Sequence, residues 1–264
     1  MRIWVQVFSA RERNPNFHQA LEEHLRSVAE PETRIEVHGT RKGGLGEQFR
    51  FFQAIDMPDI IENILKCREA KGESRYDAFV SLNSIDPALV EAREILEIPA
   101  LGFLETTALV SCMMGRTFSL ITPNPKFAIS YREKLQLYGL TQRLASIEAM
   151  NIPHLPDYRQ AFIDPAAHQR VMSEFDAAAR RAVAAGAEVI IPCGSHAVLQ
   201  ARRKVREIDG ALILDGLAVL LKMAETAVKI QRVTGTFVSR KMLYQAPGEA
   251  VREKARQDYG IDLT

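Results

Sequence analysis

The sequence has little cysteine, no long apolar segment and no excess of charge of either sign. Its three cysteines are an odd number without the paired spacing of a metal site, so we expect a reducing cytoplasm and packing or catalytic thiols. No apolar run approaches the roughly 20 residues that span a bilayer. Lys and Arg total 34 and Asp and Glu total 33, which indicates no binding to nucleic acid or to an anionic membrane. A globular, enzyme-like protein remains.

Motifs for cofactors and nucleotides are also absent. There is no Rossmann glycine fingerprint and no zinc-spaced Cys/His cluster. The glycine-rich stretch 40–46 lacks the Gly-Lys-Ser/Thr ending of a phosphate-binding loop, so we expect a flexible loop that covers a cleft. We therefore expect neither a cofactor nor a metal, and chemistry carried out by side chains alone.

Short apolar runs alternate with segments of helical periodicity, which predicts an α/β fold with parallel sheets flanked by helices. The runs show little polar alternation, as expected for strands covered on both faces. The predicted strands are Ile3–Phe8, Arg34–His38, Ala78–Leu82, Ala100–Phe103, Phe118–Thr122, Val189–Pro192 and Leu212–Leu214. The predicted helices are Phe17–Val28, Pro58–Glu69, Pro87–Leu96, Thr106–Met114, Ala128–Tyr138, Pro165–Ala185, Ala197–Glu207 and Gly216–Ile230. The polar stretch Gln231–Thr264 is expected to wrap the surface.

Two segments repeat one order of elements: a strand, a turn with a small polar residue, a helix, and a second strand followed by an acid. In one segment Asn83 precedes Glu105 by 22 residues, and in the other Cys193 precedes Asp215 by 22 residues. Similarity between any two βαβ units is the simpler explanation of this match. A true repeat predicts two similar Rossmann-like lobes related by a pseudo-twofold axis, each with a four-stranded parallel sheet.

The repeat also predicts where the lobes divide and where a ligand binds. Residues 1–104 and 216–264 would form lobe 1, and residues 105–215 lobe 2. Ligands of open parallel sheets bind at the carboxyl ends of the strands. Asn83 and Cys193 are therefore expected to face each other across a cleft between the lobes.

Cys193 lies in the segment Pro192-Cys193-Gly194-Ser195-His196, at the step from a strand to a helix. Free N–H groups and the dipole of a helix N-terminus lower a thiol pKa and can hold a carboxylate or an enolate oxygen. We therefore expect a reactive thiol here, with structural packing as the alternative. Cys67 and Cys112 lie inside helical patterns, where packing is the expected role.

Several ordered motifs resemble those of the aspartate/glutamate/hydantoin racemase superfamily. The segment 81–89 (SLNSIDPAL) resembles the first active-site motif, in which a cysteine precedes a small residue, Asp-Pro and a helix start. The second motif, a cysteine followed by small residues, matches Cys193-Gly194-Ser195. Further similar segments are 98–105, 143–146, 152–153 and 213–216. The resemblance spans about residues 1–240, and it implies a cofactor-independent, two-lobed enzyme that forms homo-oligomers.

One departure from the family pattern concerns the chemistry. Racemases of the family place two thiols on opposite faces of the substrate carbon, one to remove a proton and one to return it. Aligned on Asp86-Pro87, the first of these thiols is replaced here by Asn83, whose amide is neither a base nor an acid near neutral pH. Pro192 and His196 also differ from the residues usual in relatives.

Three interpretations follow from the single thiol. In the first, the protein is still a racemase or isomerase and Ser81, Ser84 or His196 replaces the missing thiol. In the second, Cys193 protonates one face after decarboxylation of a malonate-type acid, as in the arylmalonate decarboxylase branch. In the third, Cys193 attacks an amide or imide as a nucleophile with His196 as its partner. A non-catalytic ligand-binding protein is a minor alternative.

The predicted site combines the resemblance with the positions of polar residues at strand ends. Catalysis is assigned to Cys193, Asn83 and His196. Asp86 is expected to cap the helix beginning at Pro87. The substrate is expected to be a small anionic molecule or a cyclic amide, and Arg11 and Arg13 either meet an anionic group or lie in a solvated loop. Substrate binding is assigned to Ser9, Ser81, Ser84, Glu105, Thr106, Thr122, Asn124, Gly194 and Ser195.

Overall fold

The fold consists of two sheets flanked by helices, and it is given by a computed structural model that describes residues 1–44, 46–152 and 156–263. Short 3₁₀ helices occur at Gly72–Ser74, Thr141–Arg143 and Met242–Tyr244. The strands are β1 (Arg2–Gln6), β2 (Arg34–His38), β3 (Ala78–Ser81), β4 (Ala100–Gly102), β5 (Phe118–Thr122), β6 (Leu144–Ala149), β7 (Val189–Pro192), β8 (Glu207–Ile208) and β9 (Ala211–Ile213). The helices are α1 (Pro15–Val28), α2 (Arg50–Glu69), α3 (Leu89–Ile95), α4 (Phe103–Met114), α5 (Pro125–Leu137), α6 (Pro156–Gln160), α7 (Pro165–Ala184), α8 (His196–Arg203), α9 (Gly216–Thr234) and α10 (Glu249–Tyr259).

The first sheet has four parallel strands, as predicted, and their order is β2-β1-β3-β4. The second sheet has five strands in the order β6-β5-β7-β9-β8, and β8 runs antiparallel to β9. The prediction of four parallel strands is therefore wrong for this sheet. Strands β6 and β8 were not predicted from the sequence. Strand β6 is a half-buried edge strand with polar residues, and β8 has only two residues.

All eight predicted helices are present, but each has at least one end that differs from its predicted end, and α2, α3 and α8 illustrate the differences. Helix α2 begins at Arg50 and continues through Pro58, which the sequence pattern placed at the helix start. Helix α3 begins at Leu89 instead of Pro87, because Ala88 has a φ of +54° and lies outside the helical region. Helix α8 ends at Arg203, where Lys204 turns left-handed with a φ of +58°.

The chain returns to the first sheet after completing the second. Helix α9 packs against β3, β4, α1 and α4. One apolar cluster joins the two sheets, since it contains Ile3 and Val80 from the first and Leu120 and Ile191 from the second. The lobe boundaries at 104 and 215 stay a prediction. In the described part of the chain, no helix has the length and apolar character needed to cross a membrane.

Candidate active site

A cavity of about 190 Å³ lies at the carboxyl ends of strands from both sheets. Its wall includes Ser9 after β1 and the pair Asn83 and Ser84 after β3. The second sheet contributes Pro123 after β5 and the segment that follows β7. This is the edge at which parallel sheets bind ligands, so the cavity is the candidate active site.

The two repeated turns meet in this cavity. Asn83 and Ser84 line it from the first sheet, and Gly194 and Ser195 line it from the second. The side-chain oxygen of Asn83 accepts a hydrogen bond from the N–H of Ile85 at 3.1 Å, which fixes the amide in the turn. Gly194 has a φ of +130°, a conformation that favours glycine, and a Cβ there would lie 3.1 Å from the Cγ of Pro123.

Cys193 is fully buried directly behind this wall, between β7 and Gly194. Its N–H donates to the carbonyl of Ile121 at 2.8 Å, and its Sγ lies 3.5 Å from the carbonyl oxygen of Ile191. Burial raises the pKa of the thiol well above its usual value, and the nearby Asp86 carboxylate raises it further. The expectation of a lowered thiol pKa is therefore wrong, because burial and the nearby carboxylate both raise it. The neutral thiol predominates at neutral pH.

His196 does not face the cavity. Its ring is fully buried, stacked on Tyr158 and tilted against Phe175, with Nδ1 3.4 Å from the Tyr158 hydroxyl. Burial lowers the pKa of this histidine to about 3, so it is neutral near pH 7. The position one helical turn after Cys193 suggested a catalytic partner, but the structure surrounds the imidazole with aromatic rings.

A pair of hydroxyl groups crosses the cavity beside Cys193. The Oγ of Ser84 lies 2.8 Å from the hydroxyl of Tyr131, which also hydrogen-bonds to the side chain of Thr122. Ser84 and Tyr131 line the cavity, and burial raises the pKa of the phenol, which therefore stays protonated. Sequence reasoning missed Tyr131 because it lies inside the amphipathic pattern of α5, where an aromatic residue indicates core packing.

Asp86 connects the first turn to the start of α4. Its carboxylate accepts hydrogen bonds from the N–H groups of Leu104 (2.9 Å) and Glu105 (2.8 Å) and from the Tyr138 hydroxyl (2.8 Å). Burial raises the pKa of Asp86 to about 6 although these donors oppose the shift. Asp86 therefore caps α4 and not, as predicted, the helix that follows it in the chain.

Other predicted site residues lie outside the cavity wall. Glu105 is in the first turn of α4, where it forms an ion pair with Arg93. Ser81 is buried and donates to the carbonyl of Pro87 at 3.0 Å. Asn124 caps α5 by accepting from the N–H of Lys126 at 3.1 Å. The remaining two, which are buried and also absent from the wall, are Thr106 and Thr122.

Loops whose role the sequence did not determine form another part of the wall. Arg13 and Asn14 come from the loop after β1, Gly44 and Glu47 from the loop after β2, and Arg159 from α6. The loop 40–46, expected to cover a cleft, thus contributes Gly44 to the cavity, while Leu45 falls outside the described residues. Arg13, Glu47 and Arg159 are the charged residues among the described members of the wall.

Comparison with known proteins agrees with this architecture. The family profile described as Asp/Glu/Hydantoin racemase matches residues 14–224. A hydantoin racemase of Pseudomonas sp. (strain NS671) is 24% identical over 255 residues, which cover 95% of this chain and 96% of that protein. The allantoin racemase structure from Klebsiella pneumoniae is 24% identical with a TM-score of 0.75 and covers 94% of both chains. That from Pseudomonas fluorescens is 23% identical with a TM-score of 0.76 and covers 94% of this chain and 97% of the other.

Proposed function

The chain belongs to the Asp/Glu/hydantoin racemase family, and on that premise we propose that it is a cofactor-independent isomerase in which Cys193 transfers a proton. The proton is removed from, and returned to, a carbon next to a carbonyl group of a small cyclic amide. A 5-substituted hydantoin is the substrate class that the similarity to hydantoin racemases favours.

The meeting of the two repeated turns in one cavity is the observation that carries this proposal. Asn83 and Gly194 reach the same space from different sheets, and the thiol of Cys193 is buried directly behind Gly194. A substrate carbon held between these turns would present one face to the thiol. The positive φ of Gly194 and the nearby Pro123 ring favour glycine at this point of the wall.

Cys193 would remove the proton as a thiolate and return it as a thiol. The C–H bond breaks, its proton moves to sulfur, and the electron pair delocalises onto the adjacent carbonyl oxygen as an enolate. The Ser84 and Tyr131 hydroxyls line the same wall and can donate hydrogen bonds to that oxygen. Inversion also requires a proton from the opposite face. Of the three candidates Ser81, Ser84 and His196, only Ser84 lines the cavity.

A neutral thiol and Asn83 together favour decarboxylation as a second candidate function. After a malonate-type acid loses CO₂, its carbanion needs one proton on one face and no base. A buried thiol with a raised pKa already holds that proton. Amide hydrolysis is less well supported, because His196 faces aromatic rings and is absent from the cavity wall.

Proton NMR in D₂O tests the proposal with hydantoins, allantoin, aspartate, glutamate and arylmalonates as substrates. Wild type and Cys112→Ala should both introduce deuterium at the carbon next to the carbonyl, whereas Cys193→Ala should not. Cys112 is a suitable control because it lies near the carboxyl end of α4, outside the turns after β3 and β7 that meet at the cavity. Equal exchange in Cys193→Ala would contradict the role of the thiol. Loss of CO₂ would identify the decarboxylase, ring opening a hydrolase, and binding without reaction a ligand-binding protein.

A further inference from the structure

A second part of the cavity wall carries two arginines that the proton transfer does not use. We propose that Arg13 and Arg159 bind a carboxylate on the side chain of the substrate, so that the preferred substrate is a cyclic amide bearing an acidic substituent. This inference rests on the proposed function for the identity of the reacting ring, but the anion site itself does not depend on catalysis.

The two guanidinium groups come from separate elements that meet at the cavity. Arg13 lies in the loop after β1 and Arg159 in α6, and both side chains are half-buried. The Nη2 of Arg159 donates to the carbonyl of Gly44 at 2.9 Å, which ties α6 to the loop after β2. This bond uses one of the five N–H donors of the guanidinium and leaves the others for a ligand.

No carboxylate among the described side chains neutralises either arginine at contact distance. In the part of the chain that the structure describes, no ion pair within 4.0 Å involves Arg13 or Arg159. Arg11, two residues earlier in the same loop, instead pairs with Glu22 and is absent from the cavity wall. The loop therefore directs one arginine to the protein surface and one to the cavity.

Among the described members of the cavity wall, one acidic residue stands against the two arginines. Glu47 lines the cavity, but burial raises its pKa and thereby favours its neutral form. Two guanidinium groups that are always protonated thus share the described wall with one carboxyl group, so the wall favours an anionic ligand.

The chemistry of the wall fits a carboxylate attached to an amide. A guanidinium presents parallel N–H donors that match the two oxygens of a carboxylate. Beside the arginines, the Oδ1 of Asn14 is buried and has no hydrogen-bond partner among the described residues. It is a suitable acceptor for an amide or imide N–H of the same ligand. The combination fits a hydantoin with a short acidic side chain, such as 5-carboxymethylhydantoin.

The test compares 5-carboxymethylhydantoin with its carboxamide, which has nearly the same shape without the charge. Wild type should favour the carboxylate in kcat/KM for exchange of the C5 proton. In Arg13→Gln and in Arg159→Gln this preference should fall about 10-fold to 100-fold, the usual loss for a hydrogen bond to a charged group. Arg159→Lys should retain part of the preference, and the matched control Arg11→Gln should retain all of it.

Calorimetric binding of the same two ligands to Cys193→Ser, which cannot transfer the proton through a thiol, separates this inference from the proposed function. Tighter binding of the carboxylate that depends on Arg13 and Arg159 would support the anion site even if no hydantoin exchanges its C5 proton. Equal affinity for both ligands, or an unchanged preference in the glutamine variants, would overturn the inference. Exchange of neutral hydantoins would in that case leave the proposed function standing.

Discussion

Asn83 and Cys193 occupy equivalent turns of the two sheets, but only one of them can carry a proton. The sequence identified this difference because the two turns align at a spacing of 22 residues. It did not reveal the protonation state of Cys193, since the full burial of the thiol depends on side chains from distant segments. Local motifs thus located the thiol, whereas tertiary packing sets its pKa.

The protonation state of His196 also depends on tertiary packing that the sequence does not show. Its pKa leads to a prediction of how the stability of the fold changes with pH. The pKa of His196 is lowered from 6.5 to about 3 by burial. Below pH 6.5 the unfolded chain binds a proton that the folded chain does not, so this residue contributes a loss of stability as the pH falls from 6.5 towards 3.

Replacing the imidazole by an aromatic ring that cannot titrate should remove this contribution. In His196→Phe, the free energy of unfolding should therefore decrease less between pH 7 and pH 5 than it does in wild type. Urea denaturation at the two pH values measures this difference. An equal decrease in both proteins would show that the buried imidazole is not the titrating group.

At the scale of elements, helix α4 depends on a cap from a different segment of the chain. Asp86 accepts hydrogen bonds from Leu104 and Glu105, and a Cβ at Gly102 would lie 2.5 Å from its Cγ. The short spacing of Asp86 and Pro87 suggested a local cap, because sequence patterns identify caps through neighbours in the chain. The positive φ of Asp86 and of Ala88 breaks the local helix and directs the carboxylate towards α4.

Removing this cap should destabilise the fold more than removing an ordinary one. Asp86→Ala leaves the buried N–H of Leu104 and the partly buried N–H of Glu105 without an acceptor, and we expect a loss of about 2–4 kcal/mol in the free energy of unfolding. Asp164→Ala removes the half-exposed N-cap of α7 and should cost about 1 kcal/mol. Urea midpoints at pH 7 compare the variants, and equal losses would contradict the special role of Asp86.

The positions of most elements were predictable because the strands are apolar runs and the helices have clear periodicity. Strands β2, β5 and β7 have the bounds that the sequence predicts. The edge strands β6 and β8 were missed because a strand at the margin of a sheet needs no continuous apolar run. The contribution of Arg13 and Arg159 to the cavity wall could not be predicted from the sequence either, because tertiary contacts bring their two segments together.

At the scale of the whole molecule, the two sheets bring two turns to one cavity, and these turns differ in carrying Asn83 or Cys193. A substitution at position 83 can give both turns a cysteine. Asn83→Cys would add a thiol to the first turn, where the Ser84 hydroxyl is otherwise the candidate proton donor. We expect racemisation of a hydantoin to accelerate by about 100-fold, the lower range for a positioned acid or base. Optical rotation measures the rate, with Asn83→Ser as the control for side-chain size. No gain over Asn83→Ser would show that proton donation at this wall does not limit the reaction.

Separate deuterium exchange of the two enantiomers of a hydantoin in D₂O tests the single-thiol account most directly. The wild-type enzyme should exchange the enantiomer whose C–H bond faces Cys193 at least about ten times faster than the other, and Cys193→Ala should abolish that exchange. Because the thiol pKa is raised, the fast rate should climb about tenfold per pH unit from pH 7 to pH 9. Equal rates for both enantiomers in wild type, or fast exchange that persists in Cys193→Ala, would contradict the account.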